Sequence, residues 1–284
     1  MNIAAGDATL TCAEFLQWAL PRLTLDWSGF RRVRRQVCRR VGRRIQELKL
    51  PDLDAYRSFL ETHSDEWSLL DSFCRIPISR LFRDRMVFDR LGIDVLPALA
   101  TAARNRGAPE LRAWSAGCAS GEEPYSLKIL WNLEVAGRFP DVSLAVVATD
   151  VDERLLERAR AARYGASSLR ELPSAWLERA FTRSGGLYEL RPEFRAGVEF
   201  HRGDVRREVE RGPFDLILCR NLVFTYFAEP LQRETLERLL SELSEGGALV
   251  VGLKERLPRD ATGVVDWDPR LRIYRRSTAA DTPS

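Results

Sequence analysis

From residue 111 to residue 253 the chain alternates short apolar runs with longer amphipathic stretches. LRAWSAG, VSLAVVATD, FDLILCRN and ALVVGL are separated by PYSLKILWNLEVAG, RLLERARAARY and LQRETLERLLSEL. This order constrains the fold more than any other feature of the sequence. Parallel strands cannot be joined by tight turns, and a helix between them supplies the crossover, so the alternation predicts an α/β fold with a mostly parallel sheet. Two pieces read as antiparallel: GGLYELRPEF with GVEFHR, an insertion over about residues 185–202, and VVDWD with RLRIYRR near the end. Up to residue 98 only helical patterns occur, among them AEFLQWAL, LDAYRSFLETH and EWSLLDSF. The organisation predicted is a small all-helical domain over 1–98, an α/β domain over 99–275 and a flexible polar tail over 276–284.

The 284 residues are 45% hydrophobic and 30% charged, enough for one large core or two modest ones and incompatible with a disordered polymer. No run of about 18 apolar residues exists, so no membrane insertion is expected. The opening MNIAAGDATLTCAEF lacks the basic-then-apolar order of a secretory signal. Five cysteines at 12, 38, 74, 118 and 219 include no CxxC pair. An odd, scattered set in a chain of this size predicts reduced thiols, no disulfide framework and a cytoplasmic location. His63 and His201 are the two histidines, and neither has a metal-ligand spacing around it. Chemistry that needs neither a metal nor a catalytic histidine is expected.

Charge is distributed unevenly. Residues 1–98 hold 16 Lys+Arg against 13 Asp+Glu and the remainder is balanced, so the net +3 arises in the first third. There the segment 31–44, RRVRRQVCRRVGRR, carries eight arginines and no acid, while Phe30, Val33, Val37, Val41, Ile45 and Leu48 recur at helical spacing. One face packs and the other is a positive stripe, either simply solvated or a docking surface for an acidic helix or nucleic acid. Few aromatics interleave with these arginines, which argues against a nucleic-acid partner.

The chemistry-bearing positions gather at the predicted strand ends. After the first strand, SAGCASGEEPYS (115–126) places Gly117 and Gly121 in a loop that opens a helix, where a missing Cβ lets a ligand approach the backbone. Glu122 and Glu123 stand where a dinucleotide enzyme would receive pyrophosphate, so a ligand with a positive end suits the site better. The second strand ends in Asp150-Val151-Asp152. An acid there receives ribose hydroxyls in doubly wound folds, and we assign that role to Asp150 and the helix cap to Asp152. Asp204, after FHRG, is placed to receive an adenine amino group. FDLILCRN ends in Cys219-Arg220-Asn221 at the same carboxyl edge of the sheet.

In content and order, WSAGCASGEEPYSL, ATDVD, FDLILCRN followed by Tyr226-Phe227, and LSEGGALVVG resemble the CheR-type chemotaxis receptor methyltransferases, which transfer methyl from S-adenosylmethionine to glutamate side chains. The likeness extends upstream through the arginine segment and ISRLFRD and covers roughly residues 28–257. It implies a Rossmann-like S-adenosylmethionine-dependent methyltransferase domain with a small antiparallel β insertion, preceded by a small all-helical domain. The family's Thr-x-Phe-Phe-Arg motif falls on Ser79 to Arg83, with Ser79 keeping a hydroxyl and Arg83 the arginine beside cofactor and substrate. Glu123, Asp150, Asp204, Val205, Cys219 and Arg220 fall on positions lining the cofactor, and Gly117 of the glycine loop is expected to bound the same crevice.

Two departures from the family stand out. Pro77 replaces an asparagine that precedes the threonine in many members, and four residues rather than three separate Asn221 from Tyr226, so that Thr225 holds the family's spacing and Tyr226 its identity. A local bulge after Asn221 would restore Tyr226 to its role. A glutamate of pKa about 4.3 is already an anion at neutral pH, so methyl transfer needs orientation rather than a base. Arg83 and Tyr226 are the residues expected to orient it. The resemblance further implies an acidic helical protein substrate, a receptor cytoplasmic domain, docked on the basic helix 31–44. The short TRSGGLY segment (182–188) implies no dependence on a receptor tether. A methyltransferase of the same fold with another substrate, or a catalytically weak cofactor-binding regulatory protein, are the alternatives at this stage.

Overall fold

The structure is a computed structural model, and it describes residues 10–281. The chain forms two compact units. One comprises residues up to Ile76 together with Thr225–Leu231; the other comprises Pro77–Phe224 and residues from Gln232 onward. The expected boundary at 98 therefore lies too late. Leu81, Phe82, Val87, Phe88, Leu91, Val95, Leu96 and Leu99 are buried in the core of the α/β unit, and this apolar run assigns residues 77–98 to that unit.

The helical unit is built from Cys12–Ala19, Arg34–Glu47, Leu53–Thr62 and Ser64–Cys74. Local chemistry sets two of the helix starts. Thr11 and Glu14 form a reciprocal capping box ahead of Cys12, and the Asp52 carboxylate accepts from Ala55 N ahead of Leu53. Phe15, Leu16, Phe30, Val37, Val41, Tyr56, Leu60 and Leu70 fill the interior.

Cys12 and Cys38 are joined by a disulfide, which corrects the expectation of reduced thiols throughout. The two cysteines are 26 positions apart, but the helices that carry them bring their Cα atoms to 6.0 Å, within the range a disulfide spans. Cys74, Cys118 and Cys219 are buried thiols outside this bridge.

Thr225–Leu231 completes this unit. Asp26 N donates to the Tyr226 carbonyl at 2.8 Å, Ala228 N donates to Thr24 O at 2.9 Å, and Leu25 bridges Phe227. A Cβ on Gly29 would overlap the Thr225 carbonyl oxygen, so a glycine is required where these backbones meet.

The α/β unit carries a seven-stranded sheet. In chain order its strands and those of a smaller sheet are β1 Glu110–Ala116, β2 Ser143–Asp150, β3 Arg163–Tyr164, β4 Phe181–Ser184, β5 Leu187–Leu190, β6 Val198–Arg202, β7 Phe214–Cys219, β8 Leu243–Val251, β9 Val264–Asp268 and β10 Ile273–Arg276. The large sheet runs β6-β2-β1-β7-β8-β10-β9; the first five strands are parallel, and β10 and β9 add an antiparallel edge. Every residue of β7 is buried, as a central parallel strand covered on both faces requires.

The small sheet, ordered β3-β5-β4, is antiparallel, and its β4–β5 hairpin turns on Gly185 and Gly186, both at positive φ. Val198–Arg202 does not belong to it. β6 pairs in parallel with β2 from Val146↔Val198 to Asp150↔Arg202, so the insertion is made by 163–164 and 181–190 rather than by 185–202. β6 reads as polar because it is the sheet's edge. The tail is also shorter than expected: Arg276 ends β10, and Asp281 accepts from the Arg275 guanidinium and from Thr278. Positions 282–284 lie outside the described residues.

Two of the eight arginines are structural. Arg40 donates to the carbonyls of Phe73 and Arg75, and Arg44 forms a two-bond pair with Glu66, which is 6% exposed and also accepts from the Tyr56 hydroxyl. Burial pushes the Glu66 carboxyl up, but the bonds from Arg44 and Tyr56 outweigh it and hold the group below its ordinary range. A lowered folded pKa contributes stability above the ordinary carboxylate pKa, and that stability is lost as pH falls through the folded value. Arg44→Ala leaves a buried carboxylate unpaired and is expected to cost about 3 kcal/mol in the denaturant midpoint of the helical unit at pH 7, with the deficit shrinking below pH 4. Arg43→Ala, on the exposed face, is expected to change the midpoint by under about 0.5 kcal/mol.

Candidate functional site

β6, β2, β1 and β7 are parallel neighbours, so their carboxyl ends share one edge of the sheet, the edge where open α/β sheets hold ligands. The loop after β1 is tied to β2 by Gly117 N and Cys118 N, which both donate to Thr149 O. Asp150 then links loop and strand. Its Oδ2 accepts from Ala119 N at 2.9 Å, and its Oδ1 accepts from Asp152 N at 2.9 Å. Each of these oxygens has two lone pairs. Asp152 caps the helix Glu153–Ala161 by accepting from Arg154 N, as the sequence indicated.

The glycines act differently from the expectation. Gly117 (φ +76°) and Gly121 (φ +85°) both require the left-handed region. A Cβ on Gly117 would come within 2.5 Å of Leu222 Cδ2, and one on Gly121 would meet Ala159 Cβ at 2.9 Å. Packing of the protein against itself therefore already demands these two glycines.

The two glutamates of the loop separate. Glu123 turns toward the sheet edge, where Oε1 accepts from the Ser115 hydroxyl at 2.7 Å and Oε2 from Arg220 at 3.2 Å. Glu122 is 4% exposed and accepts from the Ser79 hydroxyl, while its Oε2 has no hydrogen-bond partner among the described residues.

Arg220 is the hub of the cluster. Its side chain is 2% exposed; Nη1 reaches Glu123, and Nη2 donates both to the Arg83 carbonyl at 3.0 Å and to Asp84 at 2.8 Å. Arg83 itself donates to Ile78 O at 2.7 Å and to Asn221 Oδ1 at 3.0 Å. Arg83, Glu123 and Arg220 thus form one hydrogen-bonded set with Asp84 and Asn221, although Arg83 and Arg220 are 137 positions apart, and Ser79 and Glu122 form a separate pair.

The remaining candidates are placed as follows. Asp204 is held by its own neighbour, since Arg206 donates to both its oxygens through Nε and Nη2. Val205 is buried. The Cys219 thiol is enclosed at the end of β7, and burial, with the Glu255 carboxylate, pushes it far from ionisation. Tyr226 lies in the helical unit with its ring 5.0 Å from that of Phe30. Asn221 stands at φ +57°, the left-handed turn from which the chain enters the short helix Val223–Tyr226.

Reading the sequence missed Ser115, Asp84 and Glu255 as members of this cluster. For Glu255 a signal existed: it is the one acid in ALVVGLKER, just beyond an apolar strand. Among the described residues no group of three or more His, Cys, Asp or Glu could hold a metal ion, and no helix is long and apolar enough to cross a membrane.

Burial raises the Glu122 carboxyl above its ordinary value, outweighing the backbone bonds and the Ser79 bond that favour its charged form. A raised folded pKa contributes stability below the ordinary pKa of 4.5 and loses it as pH rises through the folded value. Glu122→Gln is therefore expected to raise the thermal midpoint by a few degrees at pH 8 and by less at pH 5, read by calorimetry across that range.

Residues 78–267 match the family model described as the CheR methyltransferase, SAM binding domain. The chain is 35% identical over 192 residues to the chemotaxis protein methyltransferase of Listeria innocua, covering 66% of this chain and 70% of that one. It is 32% identical over 274 residues to that of Escherichia coli, covering 87% and 92%. It is also 37% identical over 242 residues to an uncharacterized 104.1 kDa protein in the hypE 3' region of Rhodobacter capsulatus; the match covers 84% of this chain and a quarter of that much longer protein. The chemistry of the edge fits the cofactor. S-adenosylmethionine presents an ammonium, a sulfonium, ribose hydroxyls and an adenine amino group, and the carboxylates of Glu123 and Asp150 are acceptors of matching sign. The chain belongs to the CheR methyltransferase family, and its α/β unit is the S-adenosylmethionine-binding domain.

Proposed function

We propose that this protein methylates glutamate carboxylates of a protein substrate, a chemotaxis-type receptor. The observation that supports this best is the Arg83 guanidinium, presented at the sheet edge by Ile78 O and Asn221 Oδ1 within the same hydrogen-bonded set as Glu123. In this reading Glu123 and Asp150 hold the cofactor's positive and hydroxyl groups, Asp204, Val205, Cys219 and Arg220 line its site, Gly117 shapes the loop and Ser79 supports it. When bound, S-adenosylmethionine supplies a methyl group on a sulfonium. A substrate carboxylate would take that methyl with the thioether as leaving group, and the protein need supply no base because the carboxylate is already ionised at neutral pH. Arg83 meets the carboxylate with its planar fork. Orientation is the main contribution asked of the protein.

The substrate partner fits the helical unit. Arg35, Arg39 and Arg43 are exposed on the helix Arg34–Glu47, a positive face suited to an acidic helical surface. With the two-residue turn at Gly185 and Gly186, the small sheet's hairpin is short, and we propose no dependence on a receptor tether. A receptor cytoplasmic domain as substrate places the enzyme in the cytoplasm, where a bridge such as Cys12–Cys38 is uncommon.

Incubation with labelled S-adenosylmethionine and receptor-containing membranes is expected to yield base-labile ester on the receptor, and label retained through alkali would refute a carboxylate acceptor. Asp150→Ala is expected to weaken binding of S-adenosylhomocysteine by about 1–3 kcal/mol in calorimetry, since it removes an acceptor that also holds Ala119. Replacing Arg35, Arg39 and Arg43 together by alanine is expected to lower receptor methylation and flatten its salt dependence, with cofactor affinity unchanged. Exposed charges act over about 10 Å at 0.1 M salt, so an unaltered rate would leave that face merely solvated.

A further inference from the structure

Glu255 is a carboxylate with 2% exposure four residues beyond β8. A single oxygen, Oε2, accepts two backbone donors: Gly252 N at 2.6 Å and Asn221 N at 2.7 Å. The first closes a turn that is also bonded from Glu255 N to Gly252 O at 2.8 Å. The second crosses from the end of β8 to the end of its parallel neighbour β7 and pins Asn221 in the left-handed region. The space above Gly252 is reserved for this contact, because a Cβ there would lie 2.8 Å from Glu255 Oε2 and 3.0 Å from the Asn221 side-chain Cγ and Oδ1. Asn221 in turn offers its Oδ1 to Arg83 Nη2.

We infer that Glu255 is a positioning residue for methyl transfer, acting on Arg83 through Asn221. The inference rests on the proposal that Arg83 meets the substrate carboxylate. Glu255 sets the backbone of Asn221, the backbone sets the amide, and the amide fixes one arm of the guanidinium. Its role is geometric: what matters is an oxygen at the correct reach. Glutamine, of equal length, can present its carbonyl oxygen to both N–H groups. Aspartate keeps the charge but is one methylene too short.

The test compares Glu255→Gln, Glu255→Asp and Asn221→Gly, each alone and in an Arg83→Ala background, all in the full chain. Expected for Glu255→Gln is turnover within about threefold of wild type. Expected for Glu255→Asp is a 10- to 100-fold loss of kcat, with S-adenosylhomocysteine affinity by calorimetry changed less than about threefold. Asn221→Gly, which permits the turn but removes the acceptor, should reproduce that loss, and it carries the test if Glu255→Asp does not fold. In the Arg83→Ala background neither change should lower kcat further. Crystal structures supply a readout independent of activity: the Arg83–Asn221 bond should persist in Glu255→Gln and be broken in Glu255→Asp.

Full turnover by Arg83→Ala would remove the role of Arg83 and this inference with it. An impaired Arg83→Ala combined with a Glu255→Asp penalty that persists in the double variant would overturn the role of Glu255 alone. So would a Glu255→Gln as damaged as Glu255→Asp, because an oxygen at the correct reach would then not suffice.

Discussion

The Arg220 guanidinium sits where three separate pieces of chain must agree. It binds the glycine-loop helix through Glu123, the 77–84 segment through Asp84 and the Arg83 carbonyl, and it directly follows β7, the buried central strand of the sheet. A charge this enclosed is tolerable because its positive end meets two carboxylates and a carbonyl, and the face of Phe88 lies 5.4 Å away. Removing any one partner would leave a buried charge less than fully compensated. The site's architecture therefore depends on this one side chain, which holds Arg83 by its backbone carbonyl while the Arg83 guanidinium bonds Ile78 O and Asn221 Oδ1.

Around that hub the backbone departs from ordinary conformations. Phe82, Asp84, Ala119 and Asn221 all have positive φ, each without the freedom of glycine. Such residues persist only where neighbours over-determine them. Here the neighbours can be named: Phe82 N donates to the Ser126 hydroxyl, Asp84 pairs with Arg220, Ala119 N donates to Asp150, and Asn221 N donates to Glu255. Hydrogen bonds of the folded chain thus hold these groups in position.

The helical unit shows how one run of charge divides its labour. Helical periodicity places Arg40 and Arg44 toward the packed side, where they satisfy the carbonyls of Phe73 and Arg75 and the carboxylate of Glu66, while Arg35, Arg39 and Arg43 stay in solvent. The same segment is accordingly both a structural element and a basic surface. The Cys12–Cys38 bridge anchors it to the first helix from the flank.

Much of this was legible from residue order. Strand–helix alternation specifies a parallel sheet because only crossovers can join parallel neighbours, and the acids after β1 and β2 announced themselves by following apolar strands. The Asp152 cap was readable because capping is local, a matter of two or three residues. Other features needed the fold. β6 was read into the wrong sheet because an edge strand is half polar and its pairing with β2 spans some fifty residues of sequence. The disulfide, the self-packing of Gly117 and Gly121 and the path from Glu255 to Arg83 all depend on distances between segments remote in the chain. Periodicity and motif report which face a residue takes and which kind of chemistry it offers. Only the packed tertiary structure decides which partner a buried polar group finds, because that partner is chosen by exclusion from water rather than by proximity in sequence.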